Sequence, residues 1–176
     1  MVELPMYAHT PSEHDPDRWH DLRQHLQETA DLAGSFAASF DAVDLCRAMA
    51  LLHDAGKANP RFQEYLRACH EGRSARITPH AAPAAKAASE YLKLFSLAIV
   101  GHHSGLPDPA DVKRLFAEAD ENAVSSAGRF IQSSFDLGNV RLPDVGDPLD
   151  AEMLVRMCFS ALVDADYLDT ERHFKP

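Results

Sequence analysis

The sequence predicts an all-α fold, a single helical bundle. Three observations predict it. Apolar residues recur at helical spacing along nearly the whole chain. Ala and Leu are plentiful while runs of β-branched residues are few, and Pro and Gly fall mainly between the periodic stretches. No sheet is expected. A length of 176 residues suits one domain, 1–176, with an ordered core over about 17–171 and no need of staples.

Asp17 to Phe36 reads as a first helix and Asp41 to Asp54 as a second. Pro60 to Cys69 makes a short third, with Pro60 in its first turn. After a polar, Arg-rich loop, Thr78–Pro79 reads as an N-cap followed by proline. They begin an Ala-rich helix that runs past Tyr91, with a kink near Pro83. Leu94 to Val100 is apolar and ends at Gly101, and Pro107 and Pro109 bracket a turn. Two charged helices cover Asp111 to Ser133. Asp136 to Pro148 reads as a loop, and a last helix runs from about Leu149 to Leu168. There is no internal repeat.

A hydrophobic fraction of 45% and a charged fraction of 25% are ordinary for a globular chain, and no apolar run is long enough to span a bilayer. Met1–Val2–Glu3–Leu4–Pro5 lacks the basic and apolar parts of a signal peptide, which points to the cytoplasm. Cys46, Cys69 and Cys158 are far apart with no C-x-x-C pair, as expected of buried free thiols. The net charge of −10 is opposite in sign to that of a free-standing nucleic-acid binder, so any DNA must be handed over or bound locally. Arg61, Arg67, Arg73 and Arg76 form the one basic cluster, which suits a solvated face and a phosphate track about equally.

At roughly 100° per residue, helix arithmetic sorts the imidazoles and carboxylates. His25 lies on the stripe of Leu22, Thr29, Leu32 and Phe36, whereas His20 falls roughly 140° away. His53 borders the face of Leu45, Met49 and Leu52, and Asp54 is one step further round, where Gly56 closes the helix. His102 and His103 follow an apolar helix end, where two adjacent imidazoles are costly to waste and a polar cap is the bland alternative. His80 sits in a first helical turn, where the dipole favours a neutral imidazole over a cationic one. Asp164 and Asp166 flank the face of Leu154, Cys158, Ala161, Leu162 and Ala165 by nearly equal angles, so periodicity leaves both open. Imidazole and carboxylate ligands without thiolate suit Mn²⁺, Fe²⁺, Co²⁺, Ni²⁺ or Zn²⁺ better than Mg²⁺.

The order His25, His53–Asp54, His80, His102–His103 and a late Asp resembles the HD superfamily of metal-dependent phosphohydrolases. Four stretches resemble more narrowly the HD nuclease domain of type I CRISPR interference. They are Trp19–His20–x–Leu22–x–x–His25–Leu26, His53 to Gln63, Gly101 to Leu106, and Leu162 to Glu171. The resemblance spans Trp19 to Glu171. It implies an all-α HD bundle around a central site of one or two divalent transition metals. His25, His53, Asp54 and Asp166 would surround one metal, and Asp54, His80, His102 and His103 the other. Asp166 is preferred to Asp164 because Ala165–Asp166–Tyr167–Leu168 resembles the family's Ala-Asp-x-Leu.

The same resemblance makes Asp54 the bridge and Lys57 the catalytic lysine. It implies a nuclease for single-stranded DNA, endonucleolytic and possibly also exonucleolytic. Its implied partners are a CRISPR-associated helicase and a CRISPR RNA-guided surveillance complex. The chain carries no G-x-x-x-x-G-K-[ST] loop, so the helicase must be another polypeptide or a further region. The alternatives are a phosphohydrolase for nucleotides or cyclic nucleotides and a non-catalytic metal-stabilised adaptor. The polar loop from Cys69 to Thr78 leads into His80, so the second metal is expected to bind more weakly.

Overall fold

Asp21 decides where the first helix starts. In the computed structural model, which describes residues 5–138 and 140–175, the Asp21 carboxylate accepts the Gln24 backbone N–H at 3.0 Å. That satisfies one of the amides every helix leaves open at its start. Helix α1 therefore spans Leu22–Ala37 rather than beginning at Asp17. Ahead of it, and against the expectation of no sheet, Tyr7–His9 (β1) pairs antiparallel with His20–Asp21 (β2). Strands of three and two residues carry no legible alternation. Side chains hold the pair. The Tyr7 N–H donates to Gln63 Oε1 and Gln63 Nε2 donates to the Tyr7 carbonyl, both at 2.9 Å. Tyr7 also packs on Trp19, with ring centroids 4.9 Å apart.

The rest is helical, in agreement with the predicted class. The segments are α2 (Val43–Leu52), α3 (Pro60–His70), α4 (Ala81–Leu92), α5 (Ser96–Gly101), α6 (Pro109–Glu118), α7 (Glu121–Ser134) and α8 (Pro148–Phe174). Asn59, Asp108, Asp120 and Asp147 each cap the helix that follows, and proline opens α3, α6 and α8. Helix α4 departs from expectation. His80, not Thr78, precedes its first residue, and no side chain caps it. Pro83 lies in its first turn, where no intrahelical N–H is lost, so the helix continues unbroken.

Helix α8 also runs six residues past the predicted end at Leu168, to Phe174. The extension is tied down by His173, whose ring stacks on His20 and whose Nε2 donates to the Thr10 carbonyl at 2.9 Å.

Helix α1 packs against α2 and α8. Leu22, Leu26, Ala30 and Ala33 share one buried cluster with Leu45, Met49 and Leu52 and with Cys158, Leu162 and Ala165. The alanines let the helix axes approach closely, and each fully buried leucine contributes about 2 kcal/mol. The buried stripe of α1 differs from the predicted one: Phe36 is 37% exposed while Leu26 and Ala30 are fully covered. Cys46 and Cys158 are buried free thiols, whereas Cys69 is exposed, because it lies on the outer face of α3. Among the described residues, no helix is long and apolar enough to cross a membrane.

Candidate metal centre

Five helices deliver donors to one point. His53 immediately follows α2, with Asp54 next to it, and His102 and His103 follow α5. His80 precedes α4, while His25 and Asp166 lie within α1 and α8. His53 Nδ1 donates to the Ala50 carbonyl at 2.7 Å, and His102 Nδ1 donates to the Ile99 carbonyl at 2.6 Å. Carbonyls in a last helical turn lack an intrahelical N–H, so each helix end fixes the ring that follows it. His25 Nδ1 donates instead to Asp169 Oδ2 at 2.6 Å. In all three rings Nδ1 is occupied, and Nε2 is the nitrogen left to face a metal.

Asp54 stands between two sets of imidazoles. Its Oδ2 is 3.4 Å from His25 Nε2 and 3.6 Å from His53 Nε2, and Asp166 Oδ1 lies 3.4 and 3.5 Å from the same nitrogens. Its Oδ1 is 3.2 Å from His80 Nε2 and 3.4 Å from His102 Nε2. His103 Nε2 completes that side, 3.0 Å from His80 Nε2. Four donors about 2.1 Å from a cation in a tetrahedral shell are about 3.4 Å apart, so the spacing suits metal ligation. The Nε2 atoms of His25, His53 and His102 and both Asp54 oxygens are buried without a hydrogen bond. Such atoms are costly unless a cation satisfies them. The donors thus fit two divalent cations that share Asp54, with His25, His53 and Asp166 on one side and His80, His102 and His103 on the other.

Residues 22–132 match the HD domain. The chain belongs to the HD domain family. Members are metal-dependent phosphohydrolases, and the His/Asp groups of this chain could hold such metals. A search of curated proteins found no match. The matched region contains every candidate ligand of this HD domain except Asp166, which α8 supplies from beyond it. Asp166 is half-buried at the site and Asp164 is exposed.

Electrostatics divides the two sides of the HD site. In the metal-free chain, burial works against a charged His25. The carboxylates of Asp166, Asp169 and Asp54 around it outweigh that penalty and raise its pKa to about 10. Asp54 and Asp166 also resist the penalty of burial and are held below the usual carboxylate range. Lys57 and His53 act first on Asp54, and His25 and His53 on Asp166. On the other side, burial lowers the His80 pKa, and burial with His102 alongside lowers that of His103 to about 4, so both rings are neutral and ready to ligate. Lys57 is 4% exposed, with Nζ 2.6 Å from Asp54 Oδ2 in an ion pair too bent to count as a hydrogen bond.

Gly56 allows the His80 backbone to approach. A Cβ at Gly56 would overlap the His80 carbonyl oxygen and sit 2.8 Å from its carbon. Gly56→Ala is therefore expected to cost about 1–3 kcal/mol and to displace His80. Metal titration of that variant should show weakened binding on the His80 side and near-normal binding on the His25 side.

Several residues outside the predicted set also belong to the HD site. Asp169 orients His25, and His20, placed off the ligand face by helix arithmetic, lies in β2 only 3.4 Å from Asp169. His9 is 3.3 Å from Lys57 Nζ. Gln63 ties β1 to the Lys57 carbonyl at 2.8 Å. Of the basic cluster, Arg61 pairs with Asp120, and Arg73 pairs with Glu64 and Glu71. A groove of about 520 Å³ runs past Arg61, Arg76, Pro79 and Ala82, but no imidazole of the site lines it.

Proposed function

We propose that this HD domain is a metal-dependent nuclease for single-stranded DNA in type I CRISPR interference, fed by a helicase, on another polypeptide or in a further region, and by an RNA-guided surveillance complex. The observation that carries the reading is Asp54, a buried carboxylate whose two oxygens face separate imidazole groups, with the Lys57 ammonium 2.6 Å away. A divalent pair bound there would lower the pKa of a bound water and polarise the scissile phosphate. Asp54 holds the two sides in register, and the carbonyls of Ala50 and Ile99 keep His53 and His102 facing them. Lys57 supplies a fixed positive charge where negative charge develops on the phosphate.

The narrow motifs, above all His53 to Gln63 and Leu162 to Glu171, support the nuclease over a nucleotide hydrolase. The acidic surface, with a net charge of −10, suits delivery of DNA by partners. A buried, paired Lys57 and a full donor set favour catalysis over an adaptor role.

The test is hydrolysis of circular single-stranded DNA with Mn²⁺, Ni²⁺, Co²⁺, Mg²⁺ or chelator, beside His53→Ala and Lys57→Ala. Duplex DNA and a cyclic nucleotide serve as controls. Metal-dependent cutting of the circle that is lost in His53→Ala is expected. Hydrolysis of the cyclic nucleotide alone, or an unchanged rate in His53→Ala, would overturn the reading.

A further inference from the structure

We propose that His9 and His20 are positioning residues: a directed path of hydrogen bonds runs from Lys57 to His9 and on to His20, whose Nε2 faces Asp169, and it aims the Lys57 ammonium while bracing His25. The proposal rests on the reading of the site as a metal-dependent phosphodiesterase that uses Lys57. The direction of the chain follows from elimination. An ammonium can only donate, so His9 Nε2, 3.3 Å from Lys57 Nζ, must accept. A neutral imidazole carries one N–H, so the His9 proton sits on Nδ1. That nitrogen is 3.0 Å from His20 Nδ1, which must then accept, leaving the His20 proton on Nε2. His20 Nε2 lies 3.4 Å from Asp169 Oδ2, the same oxygen that takes the His25 proton.

Both hydrogen bonds of the path then join a donor to an acceptor, and the His20 Nε2–H faces the Asp169 carboxylate. The opposite assignment would set a Lys57 N–H against a His9 N–H. The path requires each ring to be neutral, with a single N–H.

The surrounding packing holds the path still. His173 stacks on His20 with ring centroids 4.4 Å apart and planes 8° from parallel, and Phe174 sets its edge to His9 at 5.9 Å. This gives the last turn of α8 a purpose. Gln63 anchors the strand that carries His9. Lys57 is thus held between the Asp54 charge and the His9 ring.

His9, His20 and His25 lie close enough to be read as a third metal group. Their nitrogens are already committed: those of His9 to Lys57 and His20, and those of His25 to Asp169 and the Asp54 side.

The deciding measurement is the tautomer of each ring, read from long-range proton–nitrogen NMR on the Zn²⁺-loaded protein with ¹⁵N-histidine. The expected result is His9 neutral with its proton on Nδ1 and His20 neutral with its proton on Nε2. A His9 protonated on Nε2, or a cationic His9, would overturn the proposal. Kinetics give the second readout, using bis(4-nitrophenyl) phosphate as substrate. His9→Phe should keep its metal content and KM while kcat falls about 10- to 100-fold, the range typical of groups that orient a metal site. His9→Gln, which keeps an acceptor for Lys57, should recover most of that loss. His9→Phe combined with Lys57→Ala should be no slower than Lys57→Ala alone, and losses that multiply would overturn the chain. A wild-type protein that hydrolyses no phosphodiester would sink the nuclease reading, and the tautomers would still judge the chain of hydrogen bonds.

Discussion

Asp54→Asn is expected to abolish metal-dependent hydrolysis of a simple phosphodiester, a fall of at least about 10³-fold. Metal contributions to a transition state are worth several kcal/mol, and each 1.36 kcal/mol is a factor of ten. The amide keeps the shape of the carboxylate but offers one oxygen, so it cannot serve both imidazole groups. It also removes the counter-charge from Lys57, 2.6 Å away, and from His25, 3.4 Å away. Leaving a buried charge unpaired costs about 3 kcal/mol, so the metal-free variant should melt about 6–12 °C below wild type. A variant with wild-type rates would mean that Asp54 is no bridge. Circular dichroism melting with the chelated protein checks the second part.

The metal-free protein should be acid-labile well above the carboxylate range. Burial lowers the pKa of His9, of His80 and of His20, the last from 6.5 to about 3. Their folded values lie below their unfolded ones, so each takes up a proton on unfolding once the pH falls below 6.5. Stability that is complete above pH 6.5 is lost from there towards pH 3. Each such group steepens the loss by up to about 1.4 kcal/mol per pH unit. His25 has the opposite sign. Its pKa is raised to about 10, so its contribution is complete below pH 6.5 and disappears as the pH rises through 10. Denaturant unfolding of the chelated protein should therefore show a maximum near pH 6.5–7 with a steep acid limb. A flat profile between pH 4 and 7 would contradict the neutral, buried state of these rings.

What the sequence made legible, and what it hid, follows from the range of the interactions. His53–Asp54 and His102–His103 could be read because each pair closes an apolar helical run, and the last turn of a helix has carbonyls to orient a ring. Asp166 could be preferred only through the resemblance, because on the periodicity of α8 alone it matches Asp164. Asp169 escaped because its partner, His25, is 144 positions away in the chain. His20 escaped for a local reason: helix arithmetic was extended upstream of the Asp21 cap, where His20 lies in a two-residue strand. His9 could not be found at all, since a three-residue strand has no period and its contacts, Lys57 and His20, are tertiary. The short sheet and the long end of α8 were missed together because each holds the other in place, through His173 on His20 and Thr10.

Titration of the metal-free protein with Mn²⁺, read as bound metal per chain, tests most directly whether Asp54 joins two metal sites. The result in keeping with the geometry is two ions per chain of unequal affinity. The tighter would sit on the buried side of His25 and His53, and the weaker on the side where His103 is exposed. His103→Ala should remove the weaker ion alone, and Asp54→Asn should weaken both. One ion per chain that survives Asp54→Asn, or two equally tight ions untouched by His103→Ala, would contradict it.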